Sequence, residues 1–168
     1  MNMHHRKPTR LKYYDYSSPG SYFITICTKD RKPILSEIVV GDGVLDVPEN
    51  RLSYYGEIAN NQICEMNDFY SHISVDKYVI MPNHIHLLLT ISDVDNEHKG
   101  MSETQSPTNS HIAKFVSTFK RLCNKRYNEN IWQRNSYDHI IREQTDYLKI
   151  WEYIDTNPQN WTKDELYQ

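Results

Sequence analysis

The chain has 168 residues, of which 38% are hydrophobic and 24% charged, and its formal net charge is −3. This length predicts one domain with a sizeable core, spanning residues 1–168. No apolar run approaches the roughly 20 residues of a membrane span, and no apolar segment follows the basic N-terminus as it would in a secretory signal. The three cysteines are widely spaced, which is typical of reduced thiols rather than of a disulfide framework. We therefore expect a cytoplasmic protein with no membrane contact.

The positive charge is concentrated in two segments. Residues 1–12 and 111–126 hold nine of the nineteen basic residues and no acid, whereas residues 36–109 carry twelve acids against three bases. Local potential, rather than net charge, attracts polyanions, although a solvated tail and an ordinary helix face remain the alternatives. The candidate DNA-binding residues, the first three of them on the arm at 1–12, are Arg6, Lys7, Arg10, Lys114, Lys120, Arg121, Lys125 and Arg126.

The first half of the chain predicts a strand, a hairpin and a helix. Residues 22–28 are β-branched and aromatic and predict the first strand. Two short apolar runs, 34–40 and 44–47, are separated by Gly-Asp-Gly and predict an inserted hairpin. Apolar residues at helical spacing predict a helix from Ser53, its N-cap, to about residue 69.

The middle of the chain predicts two strands, a loop and a second helix. Residues 73–80 and 84–92 predict strands joined around Met-Pro-Asn. Residues 93–110 are polar and acidic and predict a flexible surface loop. A helix with an apolar stripe is expected at 111–127, with Ser110 as its N-cap.

The last part predicts an extended stretch at 132–142 and a helix at 146–156, which ends before Pro158. The resulting order of strands and helices predicts an α+β sandwich, in which a mostly antiparallel sheet carries helices packed on one face. The apolar arc of the last helix is predicted to contain Tyr147, Leu148, Ile150, Trp151 and Ile154. Tyr153 and Asn157 fall together on its polar arc, where a surface tyrosine and a helix cap are the ordinary interpretations.

His84 and His86 occupy alternate positions of a predicted strand, so both point to one face of the sheet. Two adjacent imidazoles make half of a metal site, although a pair of satisfied sheet histidines is the alternative. A helix packed on that face could place the phenol of Tyr153 and the amide of Asn157 over them. A phenol needs a metal-polarised target or a neighbouring base to attack, and a phosphodiester held by a divalent cation is such a target.

Several motifs together resemble one family. They are MPNHIHLL at residues 81–88, FKR at 119–121, IWQR at 131–134, YDHIIR at 137–142 and YIDTNP at 153–158. In this order they resemble the HUH-type single-strand DNA transposases with one catalytic tyrosine, and among these the REP-associated tyrosine transposases. YYDY at 13–16, followed by YFIT at 22–25, is similar to the family's entry into its first strand.

The resemblance implies a ferredoxin-like sandwich in which His84, His86 and Asn157 bind a metal and Tyr153 is the nucleophile. It implies a transposase that cleaves and rejoins single-stranded DNA bearing a hairpin, through a covalent 5′-phosphotyrosine. Mg²⁺ or Mn²⁺ would be the ion, and no nucleotide cofactor is needed because the ester energy is kept. It leaves open whether the chain acts as a monomer or a homodimer.

Two alternatives accompany this interpretation. His139 is the reserve ligand and Tyr137 the reserve nucleophile, because alternation places both on one face of a strand-like stretch. A module of the same fold could also bind single-stranded nucleic acid by stacking and phosphate contacts without any catalysis.

Overall fold

The computed structural model describes residues 18–40, 47–92 and 110–167. These residues form an α+β fold, as predicted. The elements in chain order are β1 (Gly20–Cys27), β2 (Ser36–Val39), β3 (Glu49–Leu52), α1 (Tyr54–Phe69), β4 (Ile73–Met81), β5 (His84–Ile91), α2 (His111–Tyr127), β6 (Tyr137–Ile141) and α3 (Gln144–Thr156).

Four strands form an antiparallel sheet in the order β4-β5-β1-β6. The central pair, β1 and β5, sets Thr25 opposite His86 and Cys27 opposite His84. Side chains directly opposite each other in neighbouring strands point to the same face. The register therefore fixes the face on which the two histidines lie, and we call it the histidine face.

The other face of the sheet carries the main core. Its apolar side chains, such as Ile24, Ile85 and Leu87, pack against Ile63 of α1 and Phe115 of α2. Both helices begin where capping chemistry predicts. The side-chain oxygens of Ser53 and Ser110 accept hydrogen bonds from the backbone N–H groups three residues later. The bounds predicted for α1 and α2 are thus confirmed.

The third helix corrects the expectation that the helices pack on one face. α3 lies on the histidine face, where Ile154 packs with Leu88 and Ile141 in a small second cluster. The predicted apolar arc is also partly wrong, because Leu148 is 57% and Trp151 37% exposed. The helix is turned so that Tyr153 and Asn157, from its polar arc, also face the sheet.

The inserted hairpin is present, but its second strand lies later than the sequence predicts. β2 pairs with β3, and Val47 is exposed and precedes that strand; residues 41–46 lie outside the described part. The Asn50 amide donates to the carbonyl of Ile80 (2.8 Å), and the Ser36 hydroxyl donates to the same oxygen (3.1 Å). These two hydrogen bonds attach β2 and β3 to β4. They depend on polar residues distant from β4 in the sequence, so the apolar run at 44–47 did not indicate where the second strand lies.

Two further predictions fall outside the described residues. They are the basic arm at 1–12, with Arg6, Lys7 and Arg10, and the loop at 93–109. None of the helices in residues 18–40, 47–92 and 110–167 has the length and apolar content of a membrane-spanning segment. The single domain over residues 1–168 stays a prediction.

Candidate active site

His84 and His86 lie side by side on the histidine face, near the start of β5. Their Nε2 atoms are 3.0 Å apart, and the two side chains are 0% and 3% exposed. Two imidazole nitrogens that converge at this distance, away from bulk water, offer two donor atoms to one point. The structure thus brings together the pair that the sequence predicts.

Hydrogen bonds to the Nδ1 atoms orient both rings. The Asn83 amide nitrogen donates to the carbonyl of Leu166 (2.8 Å), which leaves its Oδ1 to accept from His84 Nδ1 (2.8 Å). The proton of neutral His84 is therefore on Nδ1, and its Nε2 carries the lone pair. His86 Nδ1 contacts the Thr25 hydroxyl at 2.9 Å, across the β1–β5 pair. Such partners of the second nitrogen are what orients a metal-binding histidine.

Burial keeps both imidazoles neutral. It lowers the pKa of His84 to about 4, against an opposing effect of the Asp164 carboxylate. Burial, and then the neighbouring His84, lower the pKa of His86 well below its usual value. At neutral pH both rings are thus in the form that can bind a cation.

Tyr153 and Asn157 complete the predicted group from α3. The Tyr153 hydroxyl is 3.3 Å from His86 Nε2, and its ring lies edge-on to Phe23. The side chain is 41% exposed, so it can be reached from solvent. Asn157 lies one helical turn later and is 2% exposed, and its Oδ1 is buried without a hydrogen-bond partner. A buried amide oxygen in this condition is costly unless another group satisfies it.

A carboxylate that the sequence did not reveal joins the same group. Asp164 Oδ2 accepts hydrogen bonds from the Tyr153 hydroxyl (3.0 Å) and the Asn157 amide (2.9 Å). One of its carboxylate oxygens lies within 4.8 Å of a ring nitrogen of His84 and of a ring nitrogen of His86. Asp164 belongs to no periodic pattern, and only the turn that begins at Pro158 returns the chain to the site.

These contacts shift two further pKa values in opposite directions. Burial and the Asp164 carboxylate raise the pKa of Tyr153 above its usual range. Burial opposes the shift of Asp164, but hydrogen bonds from Asn157 and the Leu166 backbone outweigh it and lower its pKa. The phenol is therefore protonated and the carboxylate ionised at neutral pH.

The four residues fit a divalent cation. One ring nitrogen each from His84 and His86 and one carboxylate oxygen of Asp164 lie within 4.8 Å of one another, and the Asn157 amide nitrogen contacts Asp164 beside them. A mixed nitrogen and oxygen set suits Mn²⁺ and related ions better than Mg²⁺, which prefers oxygen ligands. The convergence of two neutral, buried imidazoles with the Asp164 carboxylate is the observation that favours a cation here.

The reserve residues are not brought to the histidine pair. Tyr137 lies opposite Thr25 on β6, so it shares the histidine face but is two strands, or about 10 Å, from β5. Its side chain is 53% exposed. His139 contacts Asp146 at 2.9 Å. Within the described residues, neither side chain has a hydrogen bond or ring contact with the pair.

The basic residues of α2 lie on the other side of the sheet from this group. Lys120 donates to the carbonyl oxygens of residues 133–135, and Arg126 contacts both oxygens of Glu65 at 2.7 Å. Three others, Lys114, Arg121 and Lys125, are exposed. The role of the α2 residues in DNA binding stays a prediction.

The sequence is similar to two proteins of Haemophilus influenzae. One, described as uncharacterized, is 34% identical over 180 residues, which cover 98% of this chain and 94% of that protein. The other, named a REP-associated tyrosine transposase, is 27% identical over 146 residues, which cover 86% of this chain and 73% of that protein. No family model matches the chain.

The fold is similar to that of a solved REP-associated tyrosine transposase bound to a REP hairpin. The TM-score is 0.59 at 18% identity, over 89% of this chain and 73% of that one. The histidine pair and the tyrosine helix also stand in the arrangement that the sequence motifs predict. The chain is thus similar in sequence to one protein named a REP-associated tyrosine transposase and similar in fold to another.

Proposed function

We propose that the chain is a metal-dependent DNA strand transferase that cleaves and rejoins single-stranded, hairpin-bearing DNA through Tyr153. The observation that carries the proposal is the position of the Tyr153 hydroxyl, 3.3 Å from His86 Nε2. The phenol thus lies beside the point where the donor atoms of the site converge. A nucleophile and an electrophilic centre must be held together in this way for covalent catalysis.

His84, His86 and Asn157 would hold the cation, and Asp164 lies close enough to contribute. The bound ion would stabilise charge on the phosphate and on the phenolate oxygen. Asp164 accepts the hydrogen bond of the Tyr153 hydroxyl, so it is positioned to take the phenol's proton. Its lowered pKa makes it a weak base, and the raised pKa of Tyr153 means that proton loss needs the ion's help.

In the proposed reaction the phenol oxygen forms a bond to phosphorus while the bond from phosphorus to the 3′ oxygen breaks. The departing 3′ oxygen takes a proton and becomes a 3′-OH, and the 5′ phosphate stays on Tyr153. Attack by a 3′-OH reverses these steps and rejoins the strand. The ester is exchanged rather than hydrolysed, so no nucleotide cofactor is required.

The choice of substrate is supported by the solved structure with a similar fold. The related transposase of known structure is bound to a REP hairpin, and we extend that class of ligand to this chain. We propose that the hairpin is flanked by a single strand, because a phosphodiester can reach the half-exposed phenol more easily in an unpaired strand. A cytoplasmic location and a homodimer stay predictions.

The proposal is tested with hairpin oligonucleotides taken from inverted repeats beside the gene. Incubation with Mn²⁺ or Mg²⁺ should give a protein–DNA adduct that survives SDS, and EDTA should prevent it. Tyr153→Phe should bind the DNA without coupling, and the matched variant Tyr137→Phe should couple normally. Coupling by Tyr153→Phe would move the nucleophile elsewhere.

A direct measurement of the ion separates binding from chemistry. Mn²⁺ binding, followed by electron paramagnetic resonance without DNA, should be lost in His84→Gln/His86→Gln and kept in Tyr153→Phe. If intact protein binds hairpin DNA tightly but neither binds Mn²⁺ nor couples, the chain is a non-catalytic binding module.

A further inference from the structure

A pocket of about 590 Å³ lies beside the candidate active site, between the β2–β3 hairpin and the last residues of the chain. Its walls include Ile38, Arg51, Leu52, Pro82, Trp161 and Tyr167. The volume lies within the range of pockets that hold small organic ligands. None of these residues takes part in the proposed chemistry at Tyr153.

The pocket is joined to the histidine pair by one aromatic ring. The ring of Trp161 is centred 5.9 Å from that of His84 and 5.1 Å from that of Tyr167. Pro82, also in the wall, comes two residues before His84 and directly before Asn83, which orients it. The pocket and the histidine pair therefore share Trp161 as a common boundary.

The wall formed by the β2–β3 hairpin is held in place by buried contacts. The carbonyl of Ile80 accepts from both Ser36 and Asn50, and the carbonyl of Pro82 accepts from the backbone N–H of Leu35 (2.9 Å). This wall of the pocket is therefore a fixed feature of the fold. A preformed cavity binds a ligand without the cost of ordering its walls.

The lining matches a nucleobase better than a phosphate. Trp161 and Tyr167 supply aromatic faces, and Ile38 and Leu52 supply apolar contacts. Arg51 is at the rim, where it pairs with Glu49 (2.8 Å) and lies opposite Glu37 in the β2–β3 register, so its charge is already neutralised. Bases stack on aromatic side chains in most single-strand sites, and the rim can hydrogen-bond a base edge.

We propose that this pocket receives one base of the nucleotides that flank the scissile phosphate, and so reads the single strand beside the DNA hairpin. The proposal rests on the proposed function, because the DNA strand at Tyr153 is what presents the base. It also gives the inserted β2–β3 hairpin a role, which its sequence alone did not indicate.

The test uses the intact chain and the hairpin oligonucleotide that couples in the experiment above, with its single-stranded flank. 2-Aminopurine replaces one flank nucleotide at a time. One position close to the coupled phosphate should lose fluorescence on binding, because the base stacks on an aromatic ring. Removing the base at that position should weaken binding about 5- to 150-fold, the range expected for one stacked base.

Two variants and one control link the signal to the pocket. Tyr167→Ala, at a residue that is 50% exposed, removes an aromatic wall, and Ile38→Trp fills the space; both should abolish the quenching at that position. Phe69→Ala removes an aromatic side chain that is 80% exposed and outside this pocket, and it should leave the quenching unchanged.

The outcomes separate this proposal from the one on which it rests. If DNA couples to Tyr153 but no flank position is quenched, or if Tyr167→Ala and Ile38→Trp leave the quenching intact, the pocket does not bind a base and the strand transferase stands. If no hairpin DNA binds or couples, both proposals fail.

Discussion

The buried histidine pair should make the metal-free protein sensitive to mild acid. Burial lowers the pKa of His84 from the ordinary 6.5 to about 4, and that of His86 moves in the same direction. Between pH 6.5 and about 4, His84 is protonated in the unfolded chain but stays neutral in the folded chain. Stability is therefore complete above pH 6.5 and falls as the pH decreases towards 4.

The loss can be worked out for His84 alone. The slope approaches about 1.4 kcal/mol per pH unit between the two pKa values, so lowering the pH from 7 to 5 should cost about 2 kcal/mol. His86 adds to this loss. Carboxyl groups contribute little in this range, because the ordinary pKa of an aspartate is 3.8.

The measurement is urea denaturation in EDTA at half-unit steps from pH 7.5 to 5. The free energy of unfolding of the intact chain should fall steeply, whereas that of His84→Gln/His86→Gln should fall much less. His139→Gln, at an exposed histidine, is the matched control and should keep the steep fall. If the free energy of unfolding fell equally with pH in all three proteins, the reasoning would be refuted. Burial would then not be what lowers the pKa values of the histidine pair.

Two further variants test contacts that pack α1 and α3 against the rest of the fold. Gly56→Ala should lower the free energy of unfolding, measured in urea, by about 1–3 kcal/mol, because the added Cβ would lie 2.1 Å from the carbonyl oxygen of Leu35. The control is Asn61→Ala, on the exposed face of α1, which should change the free energy of unfolding by less than about 0.5 kcal/mol. Tyr147→Phe removes a 3.1 Å hydrogen bond to Asp76 that ties α3 to β4, so amide exchange in α3 should become faster by the equivalent of about 0.5–1.5 kcal/mol; unchanged exchange would show that this bond does not hold the helix.

Much of the fold could be predicted because its signals are local. Ser110 and the apolar stripe that follows it define both ends of α2. The alternation in β5 separates His84 and His86 from Ile85, and the structure places Ile85 in the main core. Period and capping depend on neighbouring residues alone, so the sequence contains them in full.

The features that were missed depend on tertiary contacts. The orientation of α3 follows from its contacts with β4. The Tyr147 hydroxyl donates to Asp76. Lys77 pairs with Asp155, and the Lys77 ammonium lies 5.0 Å from the centre of the Trp151 ring. These contacts turn Trp151 outwards, against the simple apolar arc. A helical wheel shows which residues share an arc, but not the angle at which the helix meets a sheet.

Asp164 illustrates the same limit at the site itself. A single aspartate in a short polar stretch is ordinary, and nothing in its neighbours indicates that it contacts Tyr153. Its position depends on the fold of residues 158–163 and on the backbone N–H of Leu166, which donates to Oδ1 at 2.7 Å. The role of such a residue becomes visible only in the three-dimensional structure.

If the proposed chemistry holds, the placement of α3 on the sheet of its own chain limits how many DNA ends one molecule can bind covalently. Among the described tyrosines, Tyr153 alone contacts the histidine pair, so the described residues offer one phenol to the proposed cation site. Under the proposed chemistry, a molecule that carries a covalently bound 5′ end has no second nucleophile among the described tyrosines until that end is transferred. One molecule would then have to process two strands in sequence, releasing one DNA end before it bound the next. Simultaneous exchange of two strands would require a second copy of the chain.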